Sequence, residues 1–412
     1  MGPVVARLAR LIWGGEVDRA LRPVLAVQLA GTIAGSAAYP FLGIWAIKHL
    51  GASQGTLGST LLVGAVLAMV SGYLGGHLSD HYGRRPLILT SWTLHTVFPF
   101  LFLLAGPRVL AGLALLAALP AIGSFGGSAD TAIVADLVPP ERHEAAYAAV
   151  RVAANLGVSI GPPLGGLLLL LGGWTGLWIG VGILALNGAV TAWRFIPRRG
   201  AYAPDAPPER SSLAVIRRDR PFLFFLLSAM LAWLVYVAFE SVLPISLTTS
   251  HGLAPSTWGF LVVINPICVT FFQMRLTRRV EPYPAALKLA VGLPLMGLPF
   301  MLLSLSSSLV VVGLVIFLFV FGEMLWVPSS QSVVSRLAPV DVRGAYMGAF
   351  GMTGSVGWAL APFLGLHVRA VAGDGATWTM FAAISLAAAA TGAFAAAGAR
   401  RPPAVAPFEA AG

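Results

Sequence analysis

The chain has 412 residues, 57% of them hydrophobic and only 10% charged, with a formal net charge of +10. A soluble domain carries roughly 25% charged residues, so this composition excludes an ordinary water-soluble domain. The apolar runs are long and do not alternate with polar residues, which excludes membrane strands.

A membrane helix needs about 20 apolar residues. Twelve stretches satisfy this, near 22–46, 56–78, 86–105, 108–131, 144–171, 176–196, 221–247, 256–277, 284–305, 308–331, 342–367 and 376–398. The first is too long for a leader peptide and lacks a small-residue cleavage site, so it is expected to be the first span. With the N-terminus inside, the 26 Lys and Arg residues divide unevenly: only Lys48, Arg108 and Arg369 fall outside. Both termini are therefore expected in the cytoplasm. Basic loops against anionic headgroups account for the positive charge without a nucleic-acid partner.

The stretch "GGHLSDHYGRRPLIL", residues 75–89, joins the second and third spans. Gly75 and Gly76 allow close helix approach, Gly83 permits a tight turn, and Arg84 and Arg85 hold the loop inside. Asp80 gains nothing from that rule and needs a cationic partner or a helix N-terminus.

Late in the fourth span lies Asp130, and the turn to the fifth carries Pro139 and Pro140. If these spans form an antiparallel hairpin, Asp130 and Arg151 lie at equal depth, roughly 14–16 Å from the turn. That predicts an Asp130–Arg151 pair, with Asn155 one turn further on. The fifth span holds "NLGVSIGPPLGG", residues 155–166. Pro162 and Pro163 interrupt the helical hydrogen bonding, while Gly157, Gly161, Gly165 and Gly166 offer a face for close packing.

Residues 137–166 align with 337–366 at an offset of 200, and "GASQGTLG" (51–58) aligns with "GLAPSTWG" (252–259) at 201. The chain is thus two repeats of six spans, entering from the same side. The expected organisation is 1–197 as a first bundle, 198–220 as a charged, Pro-rich cytoplasmic linker with a short helix near 211–219, and 221–412 as a second bundle with a short tail.

In the second repeat, Glu240 and Glu323 are acids at membrane depth, where acids mark ion and substrate pathways. Polar groups Gln28, Thr32, Ser36 and Tyr39 on the first span, and Trp233, Tyr236, Phe239, Trp326 and Trp358 in the second repeat, are candidates to line a cavity for amphipathic cargo. Cys268 and His95 read as packing residues. One cysteine and unclustered histidines give no metal site. There is no phosphate-binding loop and no enzyme signature.

Residues 76–85 resemble the signature loop between helices 2 and 3 of the major facilitator superfamily, G-x-L-a-D-r-x-G-r-r. Residues 155–166 resemble the G-x-x-x-G-P-x-x-G-G stretch of its proton-driven antiporter branch. The resemblance implies an all-α polytopic fold of 12 helices in two pseudo-twofold related six-helix bundles. It implies a cytoplasmic latch in which Asp80 faces the start of helix 11 and Arg84 meets Asp136. His81 departs from the family's usual arginine, and the second repeat lacks the signature. It also places Asp130, Glu240 and Glu323 on the cavity helices 4, 7 and 10. The function it implies is proton-coupled export of lipophilic or amphipathic molecules by a monomeric inner-membrane protein, through alternating access and without a cofactor. Proton-coupling candidates are Glu323, Asp130, Glu240 and Arg151. The same fold would also suit a lipid translocator or a nutrient importer.

Overall fold

The computed structural model describes residues 19–139, 143–197, 213–306, 308–338 and 343–398. Among them every regular element is helical. After a short 3-10 turn, α1 is Arg22–Lys48, started by Pro23, whose missing N–H costs nothing in a first turn. Next come α2, Gln54–Tyr82, α3, Arg84–Ala105, and α4, Val109–Leu137. Ser53 caps α2 by accepting a hydrogen bond from Thr56 N at 3.1 Å. The long α5, His143–Phe195, breaks at Gly173, where φ is 58°. A short α6, Leu213–Arg218, follows.

Then come α7, Arg220–Ser241, α8, Leu243–Thr249, α9, Pro255–Leu261, and α10, Ile264–Val280. α11, Ala285–Gly297, continues as a 3-10 turn over Leu298–Ser304. α12 is Leu309–Leu337, and α13, Arg343–Gly398, breaks at Gly373, where φ is 78°.

Among the described residues, ten helical stretches are long and apolar enough to cross a membrane. Two of them, Ala149–Phe195 with 47 residues and Ala349–Ala397 with 49, are each long enough to cross twice. With their glycine breaks counted as turns, the chain is consistent with twelve passes.

Three expected spans are interrupted, each by proline. Pro244 has no N–H to donate to the carbonyl of Glu240, and the seventh span divides into α7 and α8. Pro266 divides the eighth into α9 and α10, and Pro299 opens the 3-10 end of the ninth.

Packing separates the chain into two compact units. The first comprises Met1–Pro207, Glu240–Pro266 and Pro362–Ala370. Here α1 runs along α5, α2 along α4, and α3 against both α4 and α5. Gly75 lets α2 approach the Phe125 carbonyl of α4 so closely that a methyl would overlap it. Trp45, Phe102 and Trp178 form a buried trio, with Phe102 and Trp178 stacked at 4.7 Å and Trp45 edge-on to both. Such ring pairs are each worth about 0.5–1.5 kcal/mol beyond area burial.

The second unit comprises Pro208–Phe239, Ile267–Ala361 and Val371–Gly412. α11 and α12 close on Gly292 and Gly322: a methyl at Gly292 would lie 2.9 Å from Leu325 Cβ. α7 meets α13 through Phe222–Tyr346, Phe225–Phe350 and Phe224–Phe394 ring contacts.

Candidate functional site

At the junction of α2 and α3, Gly83 has φ 86°. That left-handed backbone reverses the chain in one residue, which glycine alone does without strain. Arg84 then opens α3. Its Nε donates to Asp136 Oδ2 at 3.0 Å, and its Nη1 donates to Ser79 Oγ at 2.7 Å. Ser79, buried, donates its own hydroxyl hydrogen bond to Gly76 O at 2.9 Å. The result is a chain from the last turn of α2, through the first residue of α3, to the end of α4. A half-buried arginine–carboxylate contact of this kind is charge-assisted and short. Arg85 Nη2 donates to Trp193 O at the end of α5, where exposed carbonyls favour a cation. Asp80 belongs to the last turn of α2, and its side chain lies outside the described residues. His81 folds back onto α2, its Nδ1 3.1 Å from His77 O. Gly76 itself is not crowded: a methyl there would meet Ser128 at an ordinary 3.7 Å.

The fifth-span motif forms a seam with two sides. On one side α1 lies against it: methyls at Gly157, Gly161 and Gly165 would strike Thr32, Ser36 and Ala37 O respectively. On the other side lies α9: Gly166 of α5 faces Ser256 O, and Gly259 of α9 faces Pro162 O of α5. Ser36 Oγ lies 3.2 Å from Gly157 O, a hydroxyl bond across the seam. On α1, Gln28 Nε2 donates to Thr32 Oγ1 at 3.1 Å, and Thr32 Oγ1 donates to Gln28 O at 2.8 Å. Gln28, Thr32, Ser36 and Tyr39 thus follow one face at helical spacing, with Tyr39 exposed. Glu240 is half-buried at the end of α7.

Asp130 and Arg151 do not meet. Within the described residues Asp130 makes no hydrogen bond or ion pair, and Arg151 is exposed and equally unbonded. The physical reason is packing. The hairpin expectation requires α4 and α5 to lie side by side, yet α5 runs along α1 while α4 belongs with α2 and α3. The side chain that does reach α4 is Tyr147, one turn before Arg151, whose hydroxyl donates to Thr131 O at 3.3 Å. Asn155 is exposed, its carbonyl accepting from Ser159 Oγ at 2.8 Å.

In the second unit, Trp233, Tyr236, Phe239, Phe319 and Trp326 form one aromatic cluster. Trp233 stands edge-on to Tyr236 at 5.2 Å and to Trp326 at 5.3 Å, and Phe239 stacks on Phe319 at 4.1 Å. Trp326 and Phe239 are buried beneath it, so they support the cluster, whereas Trp233 and Tyr236 remain partly open. Trp358 on α13 is exposed. Glu323 is half-buried on α12. One residue on, Met324 O loses its helical partner to Pro328, and Gln273 Nε2 of α10 donates to it at 3.2 Å. His95 is half-buried with Nδ1 2.9 Å from Ser91 O, and Cys268 is buried and free. No cluster that could hold a metal occurs among the described residues.

Compared with known proteins, residues 24–362 match the model of the Major Facilitator Superfamily. The chain belongs to that superfamily. A Na(+), Li(+), K(+)/H(+) antiporter of Planococcus maritimus is 23% identical over 381 residues, covering 83% of this chain and 87% of that protein. The multidrug resistance protein MdtH of Proteus mirabilis is 25% identical over 328 residues, covering 78% and 80%. Among solved structures, a POT family transporter in complex with a thioalcohol conjugated peptide superposes with a TM-score of 0.73 at 18% identity, covering 90% of this chain and 95% of that one.

As a member of the Major Facilitator Superfamily, the protein is a multi-pass membrane transporter and not an enzyme. Two polar groups of the site escape sequence reasoning. Ser79 stands inside the superfamily-like loop, where its hydroxyl reads as a solvated turn residue. Gln273 lies in an apolar run, and only the proline one turn past Met324 signals that a bare carbonyl awaits it.

Proposed function

We propose that this transporter exports lipophilic or amphipathic small molecules in exchange for protons, by alternating access between two six-helix halves. The observation that carries the reading is Asp130: a carboxyl at membrane depth, half-buried and without a hydrogen bond or ion pair among the described residues. An acid with no fixed counter-charge at that depth is the kind that proton relays use. Glu240, one turn before Pro244, is the second proton site, and Glu323 the third. Arg151, free of Asp130, is available to a bound anion or a protonation-dependent partner.

The cargo follows from the open rings of Trp233 and Tyr236, with Trp358, Gln28, Thr32, Tyr39 and Asn155 as further contacts. Flat aromatic faces suit apolar and cationic molecules alike. The names of two relatives, an antiporter and a multidrug resistance protein, agree with this direction. The Arg84–Asp136 contact with Ser79 and Asp80 acts as the latch on the cytoplasmic face, and both termini lie on that side of the inner membrane. The protein works as a monomer.

The test is efflux from proteoliposomes of an aromatic cation, with and without an imposed pH gradient. The wild type should accelerate with the gradient. Asp130→Asn should lose that response while retaining gradient-free exchange of cargo. Efflux by the wild type that ignores the gradient would reject proton coupling.

A further inference from the structure

The first unit carries a groove on a face that neither the latch nor the helix seam uses. It lies between α3 and the second arm of α5, has a volume of about 390 Å3, and is lined by Leu89, Thr93, Ala189, Val190 and Trp193. The surfaces beside it are apolar and exposed. Along the second arm of α5, Ile179, Ile183, Leu186, Val190 and Trp193 follow one another at helical spacing, and Trp193 is 63% exposed. On α3, Leu94, Val97, Phe100 and Leu104 do the same. Exposed stripes of this kind on a membrane helix meet hydrocarbon, because nothing else solvates them at that depth.

One end of the groove is basic. Arg85 stands one turn before Leu89, and two before Thr93, on the same side of α3. Its Nη2 is engaged by Trp193 O, while its Nε is buried and unbonded among the described residues. Arg194 is exposed beside Trp193, its guanidinium 5.8 Å from the Phe195 ring centroid. Among the described residues, no acidic side chain lines the groove. From Arg85 to Thr93 the helix rises about 12 Å, from the level of headgroups into that of acyl chains. A tryptophan at the boundary marks the same level.

We infer that this groove binds an anionic phospholipid from the leaflet bordering the basic loops. The phosphate sits against Arg194, whose planar fork matches a pair of phosphate oxygens, and Arg85, held by Trp193 O, adds positive charge at the same end of the groove. One acyl chain then follows Leu89, Val190 and Thr93 inward. A neighbouring helix, about 10 Å across, does not fit a trough lined by so few side chains. A zwitterionic lipid would fill the trough but bring its own cation to two arginines. Free phosphate would leave the apolar walls unoccupied.

The experiment is native mass spectrometry of the full-length protein in mild detergent, titrated with phosphatidylglycerol and with phosphatidylcholine of identical chains. The wild type should retain phosphatidylglycerol about fivefold better, the effect of one surface cation on an anionic lipid. Arg194→Gln should remove that preference and leave phosphatidylcholine retention unchanged. Val190→Trp, which fills the trough, should reduce retention of both lipids. Thr93→Trp fills the same trough from the opposite wall and replaces Val190→Trp if that variant does not elute as a folded species. Equal retention of the two lipids by the wild type overturns the proposal. So does wild-type retention of phosphatidylglycerol by Arg194→Gln or by a folded trough-filling variant.

Discussion

In the first unit, α5 brings Gly157 against Thr32 of α1; in the second, α13 brings Gly357 against Trp233 of α7. A methyl added at either glycine would lie 2.5 Å from the Cβ of that neighbour. The backbone breaks repeat as well, at Gly173 and Gly373, and at Gly51 and Gly252, all with positive φ. What does not repeat is the chemistry facing the glycine. On α1 it is a ladder of short polar side chains that bond to their own helix and across the seam. On α7 it is a cluster of rings. The repeat therefore preserves close approach of backbones while the residues set upon it diverge. The residues that distinguish one transporter's cargo from another's are to be sought in the divergent part.

The two seams differ most at the next turn. Gly161 faces Ser36 with no room for a methyl, and Ile33 O and Ala37 N would lie at 2.8 and 2.9 Å. The matching position in the second unit is Ala361, fully buried. Gly161→Ala should therefore cost about 3 kcal/mol, the upper range for overpacking, because the obstacle is backbone. Ala361→Gly should cost only about 0.5–1 kcal/mol. Thermal unfolding of the purified variants measures both. Equal losses would mean that the seams are equally tight.

The next effect separates the two chemistries. Trp233→Ala removes ring contacts to Tyr236 and Trp326, together worth about 2 kcal/mol. It should raise the half-saturation concentration for an aromatic cation more than for a small neutral molecule. Thr32→Val on the polar side removes one acceptor from Gln28, about 1 kcal/mol, and should affect both cargoes alike. Transport by the two variants with paired substrates decides it. If Trp233→Ala treats the cargoes equally, the rings are packing and not recognition.

How much of this was legible in sequence depended on the range of the signal. Spans are legible because twenty apolar residues leave little choice of environment. The Arg84–Asp136 contact is legible because the loop around it has a recognisable pattern, and Gly83 because a one-residue reversal requires its backbone. The interruptions at Pro244, Pro266 and Pro299 are averaged away in a hydropathy run, although each proline is in plain view. The Asp130–Arg151 expectation fails for a deeper reason. Counting residues from a turn gives depth, but it does not say which neighbour a helix chooses. Here α5 chooses α1, and a chain distance of two hundred residues is easier to read than the facing of two adjacent helices.

The two repeats also differ at the start of their eleventh-span and fifth-span helices. Tyr346, at the start of α13, donates its hydroxyl to Asp219 Oδ2 at 2.9 Å, while Asp219 Oδ1 accepts from Phe222 N at 3.0 Å and so caps α7. In the first repeat the matching residue is Ala146, and the neighbouring Tyr147 turns instead to Thr131 O. Tyr346→Phe should cost about 1.5 kcal/mol, since the bond has a charged acceptor. The pH dependence is the sharper readout. Burial, and then the Asp219 carboxylate, hold the Tyr346 phenol above its ordinary value of 10.0. The folded state thus keeps a proton that the unfolded chain releases. That stabilisation is complete below the ordinary phenol pKa and is lost as pH rises through the folded value. The wild type should therefore lose stability steeply from about pH 10 upward, and Tyr346→Phe should flatten that slope. Tyr147, also raised, by burial and by Asp136, leaves a residual slope of the same sign. If the variant and the wild type fall in parallel from about pH 9 to pH 11, the Tyr346–Asp219 contact does not hold α13 to α7.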